Sequence, residues 1–328
     1  MSVTTRAGIS CVFLIAAVAL AAPVIAPHDP GRQFPDLSYG PPMRPHIFDD
    51  DGGAHLPFIY PLKLVDRLEH RFAEDRTTRV PLEWFSAGTL VATDESRGPW
   101  LVLGADPLGR DIFARVLLGA RLSLGVSIAA AVLAIVLGAI LGALAGYCGA
   151  TVDILLMRAA DFVLVLPIIY VVIVLRATMP LVLDTGTVFW TMTVILGLAG
   201  WPHPARGVRA VVASERRKEY AEAALALGAG PLRILLRHLL PAAQGFLAVQ
   251  ITLLVPAFIL AEATLSFVGF GFAEPTPSWG VMLHEAGQAG ALSDAPWLLA
   301  PAAAIVLTVL SLHLISSGAT EPYGADRM

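Results

Sequence analysis

Two shortages define this chain before any motif is read: it has two lysines and two cysteines in 328 residues, and charged residues make up only 15% of it. The lysines, Lys63 in Pro-Leu-Lys-Leu and Lys218 in Arg-Arg-Lys-Glu, both lie outside any glycine-rich loop that could cradle a phosphate, so the chain is not its own ATPase by that route. His-Glu-x-x-His, Gly-x-Ser-x-Gly and Cys-x-x-Cys are all missing, which leaves no catalytic residue and no metal ligand set to nominate. Cys11 and Cys148 fall in the first apolar run and at the end of the second, so no disulfide framework is indicated. His28, His46, His55 and His70 are scattered through one polar stretch and read as solvated surface. The net charge of −4 points to no nucleic-acid partner.

What is abundant is apolar surface, at 56% of residues, more than a soluble fold hides comfortably. A bilayer core of about 30 Å takes about 20 mostly apolar residues per helix. Six runs meet or approach that length: 8–26, 120–146, 152–179, 187–202, 246–268 and 297–317, the fourth being the shortest. Backbone unpaired in lipid is intolerable and these runs are far longer than barrel strands, so the expected fold class is all-α, a polytopic membrane protein of about six transmembrane helices. Arg6 ahead of a short apolar run, with Ala19-Leu20-Ala21, also fits a signal peptide; the run continues through Val24 to Ala26, which favours an uncleaved anchor over 1–26.

Residues 27–118 are polar and rich in Pro, Arg and Asp, with Asp49 to Gly53 and a charged run from Asp66 to Arg79, and they offer the only room for a domain outside the membrane. Within it, apolar residues at 65, 68 and 72 between charges suggest one short amphipathic surface helix. Orientation follows from basic residues in the shorter loops. The 205–245 loop carries Arg206, Arg209, Arg216, Arg217, Lys218, Arg233 and Arg237, whereas 269–296 has no basic residue and carries Glu274, Glu285 and Asp294. The first loop is therefore expected in the cytoplasm, with both termini, and 27–118 outside; Arg110, Arg115 and Arg121 run against that trend beside a long loop where the rule is weak.

Ala130, Ala134, Gly138, Gly142 and Gly146 stand four apart and form a small-residue strip that admits close helix approach, in this chain or a partner. Pro167 should bend the third span, and the Arg158 and Asp161 pair near it reads as structural. Glu262 is the clearest deep carboxylate; it either lines a translocation path or is satisfied by neighbouring hydroxyls and backbone.

The most informative segment is Ala213 to Pro241. Glu215 to Leu227 reads as a helix, Gly228-Ala229-Gly230 as a turn, and Pro231 as the start of a second helix ended by Pro241. Leu232, Leu235, Leu236 and Leu239 give that second helix an apolar face opposite Arg233 and Arg237. Within this elbow, Glu222-Ala223-Ala224 followed by Gly228 and closed by Arg237-His238-Leu239-Leu240-Pro241 resembles the EAA signature of binding-protein-dependent ABC permeases. His238 stands where the general signature has Ile, and an Arg-His before the closing Leu-Pro is similar to the dipeptide, oligopeptide and nickel branch. Asp106-Pro107-Leu108-Gly109-Arg110-Asp111, leading into Gly119-Ala120-Arg121-Leu122-Ser123-Leu124, resembles the same branch, as do Glu262 to Gly269 and Pro275-Thr276-Pro277-Ser278-Trp279-Gly280. The likeness covers about 101–318; the stretch 32–100 is longer than expected for the family.

The resemblance implies a type I ABC importer permease fold of the second permease subunit type, in a bacterial inner membrane. It divides the chain into an anchor (1–26), an extracytoplasmic loop region (27–118) and a permease domain (119–328) with its coupling loop at 205–245. It implies a homologous permease partner, two ABC ATPase subunits that bind the ATP, an extracytoplasmic substrate-binding protein, and no cofactor in this chain. The coupling residues it nominates are Glu222, Ala223, Ala224, Gly228, Arg237, His238, Leu240 and Pro241. The competing class, an ion-gradient-driven secondary transporter, predicts inverted repeats with midplane charges, and no such repeat is visible in the sequence.

Overall fold

The computed structural model describes residues 3–49, 53–66, 69–86, 88–178, 180, 183–288 and 295–319. Helix α1 (Val3–Ile25) is followed by short strands β1 (His46–Phe48), β2 (Ala54–Ile59), β3 (Leu62–Asp66), β4 (Arg71–Glu74), β5 (Val80–Pro81), β6 (Glu83–Trp84) and β7 (Val91–Ala92). The rest is helical: α2 (Ile112–Cys148), α3 (Ala150–Val165), α4 (Ile168–Ala177), α5 (Thr185–Gly200), α6 (Pro202–Glu215), α7 (Glu219–Ala226), α8 (Pro231–Ile234), α9 (Leu240–Ala242), α10 (Gln244–Phe267), α11 (Trp279–Gln288) and α12 (Ala300–Ala319). Four stretches are long and apolar enough to cross a membrane: Thr4–Ile25, Ile112–Cys148, Gln244–Phe267 and Pro296–Ser316. The expected third span is a broken one. Pro167 lacks the N–H that would continue the helix, and α3 and α4 diverge there by 82°. The expected fourth is α5, 16 residues long and so about 24 Å, short of a bilayer core by itself.

The chain forms two compact units, one of residues 1–10, 124–265 and 309–328, the other of 11–123 and 266–308. In the first, the small-residue strip of α2 finds its partner within the chain. A Cβ on Gly138 would lie 2.5 Å from Pro204, one on Gly142 2.3 Å from the Ala205 carbonyl, and one on Gly146 2.7 Å from the Arg209 carbonyl, so α6 packs backbone-close along the strip. Helix α3 is tied to the same helix by ion pairs, Asp153 with Arg209 and Asp161 with Arg206. Asp161 thus pairs with α6 rather than with Arg158.

In the second unit the segment after α1 is a small β module. Strands β1, β2 and β5 form an antiparallel sheet in that order, and β3–β4 and β6–β7 are hairpins. Leu37, Met43, Ile59, Val80, Leu82, Val91, Leu101 and Ala105 make its core. The amphipathic helix expected over 65–72 is instead the β3–β4 hairpin, with Leu64 opposite Phe72 and Leu62 opposite Glu74; Leu68 lies outside the described residues. Alternation set the structure there: Leu62, Leu64 and Phe72 pack inward while Lys63 and Val65 face out, a period of two rather than 3.6. His28 is likewise not solvated surface. It is buried, with Nδ1 3.1 Å from a carboxylate oxygen of Asp111, which is itself fully buried.

The same unit holds a buried charge network. Arg110 and Arg115, 2% and 0% exposed, both donate to Asp106, at 2.6 and 2.8 Å, and both reach Glu285, at 3.2 and 2.7 Å. Arg110 also bridges to Glu274 at 3.2 Å. Asp106 further accepts the backbone N–H groups of Leu108 and Arg110, closing a tight loop in which Gly109 has φ +75° and a Cβ would collide with the Phe34 carbonyl at 2.0 Å. Two of the three arginines that run against the charge asymmetry, Arg110 and Arg115, are therefore paired with carboxylates inside the unit. Burial and a hydrogen bond with Glu274 push the Glu285 carboxyl up to about 7, while the bond from Glu285 and the nearby Arg110 hold Glu274 below its ordinary value.

Candidate coupling elbow

The elbow is built on α6. Val208 and Val212 of that helix are buried against Ala221 of α7, Ile234 of α8, and Leu235 and Leu239 of the π-helical turn Leu235–Leu239 that follows it. Each elbow helix is too short to be stable alone, and this shared apolar seam is what holds both. Helix α7 begins at Glu219 rather than Glu215, because Glu215 ends α6 and closes the joint. Its carboxylate accepts from Lys218 Nζ at 2.6 Å and from the Tyr220 hydroxyl at 2.7 Å. The lysine bond holds Glu215 below the usual carboxylate range, and the carboxylate in turn pushes Tyr220 up to about 12. Arg216 donates to the Tyr147 carbonyl at the end of α2 and lies over the Tyr147 ring, a cation where that helix leaves its carbonyls unsatisfied.

Gly228 follows α7 with φ +81°, the left-handed backbone expected of it, and a Cβ there would meet nothing within 4 Å. Its requirement is therefore conformational rather than steric. Pro231 opens α8 as expected. Pro241 does not stop the second helix: it occupies the first turn of α9, where its missing N–H costs nothing, and the chain continues into α10. The apolar face is also shifted from the expected one. Ile234, Leu235 and Leu239 are buried, whereas Leu232 and Leu236 are exposed.

The sequence-nominated residues come together on this one protrusion, and most face solvent. Glu222, Ala223, Gly228, Arg237, His238 and Pro241 are exposed, and Ala224 and Leu240 are half-buried. Glu222 lines a cavity of about 560 Å³ with Asp153, Arg209, Arg216 and Arg217, and its carboxylate has no hydrogen bond or ion pair among the described residues. Around it Tyr220, Leu225, Leu227, Leu232 and Leu236 leave apolar surface in water, Leu227 being 89% exposed. Such a concentration on one small element needs a covering partner. The exposed leucines were missed because a repeating apolar spacing does not say which of its members the elbow covers. Glu262 lies apart from the elbow, in α10, and is fully buried; the Thr264 hydroxyl beside it donates to the Leu260 carbonyl at 2.7 Å.

Residues 134–321 match the family described as "Binding-protein-dependent transport system inner membrane component". A dipeptide transport system permease protein, DppC of Bacillus subtilis, is 40% identical over 216 residues, 66% of this chain and 65% of that protein. The oligopeptide transport system permease protein OppC of the same organism is 36% identical over 237 residues, 71% of this chain and 74% of OppC. A putative peptide permease protein of Brucella ovis is 37% identical over 221 residues, 67% and 71% of the two chains.

Proposed function

The chain belongs to the family of inner membrane components of binding-protein-dependent transport systems, and on that premise we propose that it is the permease subunit of an ATP-driven importer of peptides. As a permease component it is not itself catalytic, and ion-gradient transport is set aside. The peptide cargo is inferred from the similar DppC and OppC proteins. In this reading a second permease subunit completes the path, a substrate-binding protein delivers cargo, and two ATPase subunits bind and hydrolyse the ATP.

The observation that carries the coupling role is the exposed face of the elbow: a free carboxylate at Glu222, basic side chains at Arg233 and Arg237, and five exposed apolar residues, all on a protrusion whose inner side is fixed to α6. A partner that grips this face moves α6, and through its backbone-close seam moves α2. Glu222→Lys reverses the charge beside Arg209, Arg216 and Arg217, and Gly228→Val places a β-branched residue in a backbone that costs a Cβ-bearing residue about 1–2 kcal/mol. Both variants are expected at normal membrane abundance with ATPase co-purification and uptake lost. Normal uptake in both would make the elbow a passive cap.

The basic 205–245 loop supports a cytoplasmic elbow with 27–118 outside. With Cys11 and Cys148 replaced by Ser, a membrane-impermeant thiol reagent on intact cells is expected to label Ser86→Cys and not Ser214→Cys; the reverse pattern would invert the topology. Glu262 is retained as the candidate path residue on its position in α10 alone, and because it is fully buried in the single chain, the packing around it must open for it to meet cargo. Uptake unchanged in Glu262→Gln for every cargo would remove that role.

A further inference from the structure

The point where α1 and α2 leave the membrane carries a group of residues that neither coupling nor transport uses. Two hydrophobic boundaries coincide there. Helix α1 ends at Ile25, and the uncharged run of α2 begins immediately after Arg121 and continues to Cys148. A cavity of about 680 Å³ joins them: it is lined by Pro23 of α1, Leu118 and Arg121 of α2, and Thr89 and Ala92 of the β6–β7 hairpin. The hairpin is fastened to this level, because the Leu90 N–H donates at 2.6 Å to the Val24 carbonyl, one of the four that the last turn of α1 leaves unsatisfied.

The hairpin holds large apolar side chains outward at that level. Trp84 is 57% exposed and Phe85 79%, and Leu20 and Val24 near the end of α1 are exposed as well. Phe85 sits at φ 55°, where a bulky residue is costly and glycine or asparagine is cheap, and its N–H closes the hairpin on the Leu90 carbonyl at 3.0 Å. An aromatic kept in a strained turn and pointed at solvent is poorly explained by folding alone. Trp and its amphipathic relatives settle at the headgroup layer, where an apolar body and a polar tip are both satisfied.

The cavity has matching chemistry. Arg121 is exposed and makes no ion pair among the described residues, while its stem lies beside Leu118, the posture of an arginine reaching to a headgroup. His28 lines the same cavity, nine-tenths buried, with Nδ1 on Asp111 and Nε2 without a partner among the described residues. Asp29 and Glu95 supply carboxylates; Glu95 is paired with Arg32 at 3.1 Å, and Asp29 accepts the Gly31 N–H at 2.8 Å. One cation set against carboxylates, at a membrane boundary, suits a ligand carrying both signs.

We infer that this cavity is the seat of a zwitterionic phospholipid, its phosphate on Arg121 and its ammonium toward Asp29 and His28 Nε2, with the β6–β7 hairpin anchored in the headgroup layer by Trp84 and Phe85. The inference rests on α1 and α2 as membrane spans and is independent of the elbow's role. The test uses the assembled transporter, with Cys11 and Cys148 replaced by Ser, in nanodiscs of mixed phosphatidylethanolamine and phosphatidylglycerol. A nitroxide on Trp84→Cys should be relaxed by oxygen and shielded from a water-soluble nickel chelate; accessibility to nickel equal to that of free nitroxide in buffer overturns the anchoring. Native mass spectrometry should find phosphatidylethanolamine retained over phosphatidylglycerol, with a severalfold loss in Arg121→Gln, recovery in Arg121→Lys, and no displacement by excess inorganic phosphate. Retention unchanged in Arg121→Gln, preference for phosphatidylglycerol, or displacement by phosphate overturns the lipid assignment, the last indicating a free-anion site. Incorporation of both variants into nanodiscs at wild-type yield separates failure of the site from failure of the spans.

Discussion

Around Arg115 the chain buries its charges and pairs them with one another; around Glu222 it leaves them in water. The first cluster draws Asp106, Arg110 and Arg115 together with Glu274 and Glu285, more than 150 residues away in sequence, and pairs both guanidinium groups with carboxylates, leaving Arg115 Nε without a hydrogen-bond partner among the described residues. The second gathers Glu222, Arg237 and His238 within one short segment, and packing fixes only its inner side. Desolvated charge without a partner is costly, so the first arrangement is a commitment to one fold. Charge left exposed beside leucines keeps most of its interaction energy for another molecule. The difference teaches which mutations should unfold this chain and which should only disconnect it.

The largest effect is expected where the network loses one member. Arg115→Ala leaves Arg110 as the one cation against Asp106, Glu274 and Glu285 in this network, and breaking a buried pair costs about 3–5 kcal/mol. Thermal unfolding in detergent should fall steeply and membrane abundance with it, in contrast to Glu222→Lys. Arg115→Ala at wild-type abundance and melting temperature would erase the distinction between the two clusters.

A smaller effect sharpens the comparison through pH. Glu285 is raised from its ordinary 4.5 to about 7, so the folded chain keeps a proton there that the unfolded chain loses. The stability this contributes is full below about 4.5 and is lost as pH rises through about 7. Glu274, held low, contributes in the opposite sense, lost as pH falls through its lowered pKa. Over the window from about 4.5 to 7 the Glu285 contribution should make the melting temperature decline with pH, and Glu285→Gln, which cannot titrate, should flatten that decline. An identical slope in Glu285→Gln would place the titration elsewhere.

The elbow was largely legible in the sequence, and the network was not. Gly228 and Pro231 are local signals, and the structure gives them the positive φ and the helix start that their chemistry requires. The long spans were legible because a bilayer fixes a length, and Pro167 because a missing N–H acts where it stands. What escaped was non-local. His28 reads as surface until Asp111, 83 positions on, is known to lie beside it. The β3–β4 hairpin was hidden because strands of four and five residues show too little alternation to outvote a pattern of apolar residues at 65, 68 and 72. The start of α7 was misplaced because Glu215, a good helix former, serves as the clamp of a joint through Lys218 and Tyr220. Leu232 and Leu236 have the spacing of a buried face and are exposed in this chain, and the elbow's outer surface makes sense only with a second molecule against it.

That second molecule is the central claim, and Leu227, the most exposed of the elbow leucines, is the position from which to detect it. With Cys11 and Cys148 replaced by Ser, Leu227→Cys carrying a short photoactivatable crosslinker in the assembled transporter should join this chain to an ATP-hydrolysing subunit identified by mass spectrometry, and addition of that subunit should slow modification of the same cysteine by a soluble thiol reagent. Modification at one rate with and without the ATPase subunits, and no crosslinked product, would contradict the account.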